Sequence, residues 1–112
     1  MTTFLWGPQE PLIQKIPTPA FLMHGDESGR CQMFRVGIPE LALVNYAKSI
    51  ARPNSIFIDG GAHMGVYSIL LADSFKQVFA FEPQARTYRQ LCGNIFINEK
   101  ENIITNCAAL TD

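Results

Sequence analysis

The sequence predicts an alternating α/β fold, the first βαβαβ half of a doubly wound parallel sheet, and three observations carry that prediction. Short apolar runs at residues 55–59, 77–81 and 102–108 have the length and composition of buried strands. Two stretches with helical spacing of apolar residues lie between them. A small-residue loop, Asp59-Gly60-Gly61-Ala62-His63-Met64-Gly65, follows the first run directly. Strand, helix, strand, helix, strand connected by right-handed crossovers gives a parallel sheet.

Residues 1–38 form an irregular lead-in segment, in which Pro8, Pro11, Pro17, Pro19, Gly7, Gly25, Gly29 and Gly37 interrupt any regular period. Within it, residues 31–36 alternate in the manner of a short strand. Trp6 and His24 also lie there, and packing or surface placement is the expected use of both. Residues 39–112 are the second unit. Pro39 suits a first helical position, and Leu43, Val44, Ala47, Ile50 and Ala51 follow at helical spacing until Pro53 stops the run. The run Ser55-Ile56-Phe57-Ile58-Asp59 reads as a strand buried on both faces. A helix from about Gly65 should carry Val66, Ile69, Leu70 and Asp73 on one side. A second strand ends at Phe81, and a helix opening at Pro83 or Gln84 presents Tyr88, Leu91, Cys92, Ile95 and Phe96 as an apolar stripe. Gly93 inside that helix costs about 1 kcal/mol relative to Ala. Asn102 opens the last strand.

Composition narrows the function classes. Apolar residues at 47% and charged residues at 17% belong to a globular chain able to bury a core. The net charge of −1 is spread along the sequence, so no nucleic-acid partner is expected. No apolar stretch approaches the roughly 20 residues of a membrane span, and the N-terminus lacks the basic start and apolar run of a secretory signal. A cytoplasmic location follows as the default. Cys31, Cys92 and Cys107 are odd in number and lack metal-ligand spacing, so buried free thiols and no metal site are expected.

Ligands of doubly wound sheets sit beyond the carboxyl ends of the strands. The glycines of the first loop let the backbone turn tightly and let a ligand approach main-chain N–H groups. Glu82 follows the second strand about 20 residues further on, where a carboxylate can accept both hydroxyl protons of a ribose. NAD and S-adenosylmethionine both fit such a frame. A carboxylate at Asp59 would repel a pyrophosphate and attract an ammonium and a sulfonium, and Ala62 replaces the middle glycine of the dinucleotide pattern. The bland alternative is that Gly60 and Gly61 serve only a tight turn and Glu82 a solvated strand end.

Residues 58–68 (IDGGAHMGVYS), 78–83 (VFAFEP) and 91–98 (LCGNIFIN) resemble, in order and spacing, the FkbM-type S-adenosylmethionine-dependent methyltransferases. The loop pattern of that family falls on Asp59, Gly61, Ala62, His63 and Gly65, and its F-E-P block on Phe81, Glu82 and Pro83. The resemblance implies a Rossmann-like class I methyltransferase fold and methylation of hydroxyl groups on sugars or secondary metabolites, so the expected partner is a small-molecule or glycan acceptor. It also implies that Asp59, Gly60, Gly61, Ala62, His63 and Gly65 hold the methionine end of the cofactor. Glu82 would hold the ribose, and Ala108 and Ala109 would lie near the adenine. His63 could serve as a general base, but the family accepts Asn there, so a hydrogen-bonding role in the loop is preferred. Asn94 and Asn98 are expected to be helix-end and packing polar groups. No residue is singled out as catalytic.

The resemblance covers about residues 54–112, and the family's sheet continues beyond the third strand. The chain is therefore expected to be a truncated, cofactor-binding portion. The unpaired edge of its first strand would favour self-association. A non-catalytic nucleotide-binding or interaction module, or an NAD-binding oxidoreductase fragment, is the alternative.

Overall fold

The computed structural model describes residues 19–21 and 41–112. The predicted strand at residues 31–36, Cys31 and the proposed helix start at Pro39 lie outside the described residues. Helix α1 spans Leu41–Ile50, strand β1 Ile56–Gly60, helix α2 Val66–Leu71, strand β2 Gln77–Phe81, helix α3 Ala85–Ile97 and strand β3 Ile103–Asn106. A single 3-10 turn, Ala72–Ser74, extends α2 toward β2. The three strands are parallel in the order β1-β2-β3, with Ile58 opposite Phe79 and Phe79 opposite Ile104. This is the predicted βαβαβ unit, with β3 shorter at both ends than residues 102–108.

Side chains alternate across a strand, and that alternation splits the sheet into unlike faces. Val78 and Ala80 are wholly buried, and they share a face with Phe57, Asp59, Ile103 and Thr105 by register. Two successive crossovers of the same hand put α2 and α3 together on that face. Ala62, Ala80 and Leu91 form the core there, with Tyr88, Ile95 and Ile103 packed around them. The opposite face carries Ile56, Ile58 and Ile104, and Ile58 and Ile104 are 60% and 47% exposed. The expectation of a first strand buried on both faces is therefore corrected: among the described residues helices cover only one side of the sheet. The phenyl rings of Phe57 and Phe75 meet at 5.4 Å and pin the turn before β2 to the covered side of β1.

Helix burial also differs from the apolar stripes. In α3 the buried residues are Thr87, Gln90, Leu91, Asn94 and Ile97, while Phe96 is exposed. In α1 only Val44 is buried, and Leu43 and Ile50 face solvent. Asp73, grouped with Val66, Ile69 and Leu70 on one side of the second helix, falls in the 3-10 turn, where it is exposed and holds the Lys100 ammonium at 3.0 Å. The reason is the same in each case. A stripe reports which residues are apolar, whereas burial follows where the neighbouring strand lies, and small polar groups with satisfied hydrogen bonds fill the closest contacts.

Asn94 shows this directly. It is fully buried in α3, and its Nδ2 donates to the Met64 carbonyl at 2.8 Å, tying the helix to the glycine loop. Asn98 at the end of α3 donates to the Asn94 and Ala20 carbonyls and accepts from the Ala20 N–H. Cys92 is half-buried and Cys107 exposed, so the expected burial of the thiols fails at Cys107. Among the described residues no helix is long and apolar enough to cross a membrane.

Candidate cofactor site

Three segments converge at the carboxyl ends of β1 and β2. Strand β1 delivers Asp59 and Gly60, and the chain then enters the left-handed region at Gly61, φ +78°. That turn aims the Gly61 and Ala62 N–H groups at one acceptor, the Phe81 carbonyl at the end of β2, each at 2.9 Å. His63 is also left-handed, at φ +53°, a conformation uncommon for a residue with a Cβ. Its N–H donates to Glu82 Oε2 at 2.9 Å, which compensates the strained backbone. Gly65 closes the loop at φ +99°, donates to the Ala62 carbonyl and opens α2.

The glycines have unlike uses. A Cβ on Gly65 would come within 2.7 Å of Leu91 Cδ1 and 3.2 Å of Ile69 Cδ1, so this position is dictated by packing of α2 and α3. A Cβ on Gly61 would meet nothing within 4 Å, so the open space there is available to a ligand. A Cβ on Gly60 would sit 3.1 Å from Leu110 Cδ1, which shows the segment after β3 folding back across the end of β1.

Two buried carboxylates frame this loop. Glu82 is 5% exposed; Oε2 accepts from His63 and Oε1 from the Gln84 N–H at 3.1 Å. An ionised carboxylate has about four lone-pair sites, so two remain for further donors such as ribose hydroxyls. Asp59 is 8% exposed, and Oδ2 accepts the Ser68 hydroxyl at 2.6 Å. Burial pushes the Asp59 carboxyl above its ordinary value; the Ser68 hydroxyl and N–H partly offset this, and the charge of Glu82 adds to the upward shift. Two acidic groups held close in a poorly solvated place repel each other, and a cationic ligand would relieve that repulsion.

The structure thus brings Asp59, Gly60, Gly61, Ala62, His63, Gly65 and Glu82 around one strand-to-helix loop. Ala62 is buried beneath it, against Ala80 and Leu91. The hydrogen bond of His63 comes from its backbone and not from the imidazole. Ala108 and Ala109 lie in the exposed segment after β3. Sequence reasoning missed Ser68 and Gln84, which hold the two carboxylates. Ser68 closes the block at residues 58–68 that carries the family resemblance, and a polar residue inside the apolar run of α2 was the further signal. Among the described residues no cluster of three or more His, Cys, Asp or Glu could hold a metal ion.

No family model matches the chain, and no curated protein matches it. Solved structures do. A protein of Streptococcus mutans assigned as a methyltransferase, in complex with SAH, superposes with a TM-score of 0.59 at 20% identity over 63% of this chain and 40% of its own. An rRNA methylase from Streptococcus thermophilus gives 0.58 at 19% identity over 61% of this chain and 41% of its own. The fold is that of the Rossmann-like methyltransferases. M. jannaschii TYW2, in complex with AdoMet, gives 0.55 at 30% identity over 61% of this chain and 32% of its own. The chain thus spans between about a third and two-fifths of the length of these three proteins.

Proposed function

We propose that residues 39–112 are the N-terminal half of an S-adenosylmethionine-binding domain and that the complete domain is a methyltransferase. The observation that carries this reading is the pair of buried carboxylates, Asp59 and Glu82, on either side of a loop whose Gly61 faces open space. An ammonium and a sulfonium suit that electrostatic setting, and a pyrophosphate does not. Asp59 and the Gly60–Gly65 backbone would hold the methionine end, Glu82 the ribose, and the segment containing Ala108 and Ala109 the adenine. S-adenosylmethionine supplies the transferable methyl group; these residues bind and orient it. The complexes of structurally similar proteins with AdoMet and SAH support the same cofactor here.

On the FkbM resemblance, the acceptor is a hydroxyl of a sugar or secondary metabolite. The dispersed net charge of −1 favours such an acceptor over nucleic acid.

Calorimetric titration of the chain with S-adenosylhomocysteine and, separately, NAD tests the reading. S-adenosylhomocysteine should bind, and Glu82→Ala should weaken it roughly 10- to 150-fold, the range for losing hydrogen bonds to a charged group. Binding of NAD without S-adenosylhomocysteine would overturn the assignment.

A further inference from the structure

Ser68 is wholly buried on the face of α2 that also buries Ile69 and Leu71. A buried hydroxyl is costly unless bonded, and a helical serine commonly satisfies itself on the carbonyl one turn back. Here the hydroxyl instead reaches out of its helix to Asp59 Oδ2 at 2.6 Å, linking α2 to the end of β1. The Ser68 N–H also bonds the same carboxylate.

We propose that Ser68 is the positioning residue of this site, its hydroxyl fixing the orientation and charge state of the Asp59 carboxylate on which recognition of a cationic ligand depends. The proposal deepens the S-adenosylmethionine reading and rests on it for the identity of the ligand. Among the described residues, Ser68 and Glu82 are the groups that bear on Asp59. Ser68 donates to it from α2, and Glu82, itself held by the His63 and Gln84 N–H groups, repels it from the end of β2. Burial opposes the ionised form, and the serine hydroxyl is a principal force favouring it. Without the hydroxyl, Asp59 would take up a proton more readily and lose its charge toward a cation.

The test combines two readouts on the full chain: the Asp59 protonation midpoint by carboxyl-carbon NMR, and S-adenosylhomocysteine affinity by calorimetry across pH. Ser68→Ala removes the donor. Ser68→Cys keeps nearly the same volume with a weaker donor and serves if the alanine variant does not fold. Both should move the Asp59 midpoint upward. Both should also shift the acid limit of ligand binding to higher pH and weaken binding near neutrality, by about tenfold for Ser68→Ala. In an Asp59→Asn background, Ser68→Ala should add little further loss of affinity. An unshifted Asp59 midpoint in a folded variant would overturn the role of Ser68. Failure of the wild-type chain to bind S-adenosylhomocysteine would instead strike the cofactor reading, with the NMR midpoint still deciding the Ser68–Asp59 coupling.

Discussion

Gly65→Ala should be among the costliest single-methyl additions in this chain, and its cost can be worked from the structure. The added Cβ would stand 2.7 Å from Leu91 Cδ1 and 3.2 Å from Ile69 Cδ1, both on side chains buried in the core. Neither is free to swing into solvent, so α2 and α3 must move apart. Overpacking of this kind costs about 1–3 kcal/mol. The backbone adds its own term, because φ at +99° is unfavourable for a residue with a Cβ by about 1–2 kcal/mol. Together these reach about 2–5 kcal/mol, a large part of the stability of a small domain. At about 4–8 °C per kcal/mol, thermal melting followed by circular dichroism should show a fall of at least about 8 °C. A double-mutant cycle separates the two terms. In a Leu91→Ala background the steric conflict is largely gone, and the added cost of Gly65→Ala should drop toward the backbone term alone. A Gly65→Ala melting point within experimental error of the wild type would refute the packing argument. Additivity of the two substitutions within about 0.5 kcal/mol would refute the contact with Leu91.

Gly61→Val should lower stability through its φ of +78° alone, with no steric clash, and should weaken S-adenosylhomocysteine binding by more than that, since its side chain enters the open space; calorimetry beside thermal melting checks this. Asp59→Asn should raise the melting temperature near neutral pH while reducing cofactor affinity. The native Asp59 pKa lies above its ordinary value of 3.8, so the folded state binds the proton more tightly and its stability contribution falls as pH rises through that window. The stability gain should vanish in acid below 3.8, and a gain that persists there would contradict the burial argument. Asn94→Leu should cost about 1–3 kcal/mol in denaturant unfolding, because the Met64 carbonyl loses its buried donor; an unchanged midpoint would mean that water or another group replaces it.

Much of the fold was legible in the linear sequence because it depends on short-range physics. Continuous apolar runs mark strands in a parallel sheet, helical periods mark the crossovers, and the βαβαβ order follows from their alternation. The glycine loop and the two carboxylates were legible for a related reason. Strand ends in this topology fall on one edge, so Asp59 and Glu82 meet without any pairing signal between them. What the tertiary structure decided depends on contacts across the chain. It made Gly65 a packing requirement and left Gly61 open, although both are glycines at positive φ in one loop. It also buried Thr87, Gln90 and Asn94 while exposing Phe96, Ile58 and Ile104, because burial is set by which face a neighbouring helix covers and not by a residue's own hydrophobicity. Ser68 and the His63 and Gln84 N–H groups hold the carboxylates through side-chain and backbone hydrogen bonds that have no periodic trace in sequence. Spacing can bring two acidic groups to one end of a sheet, but only their surroundings in space determine which donors hold them and how readily each keeps its charge.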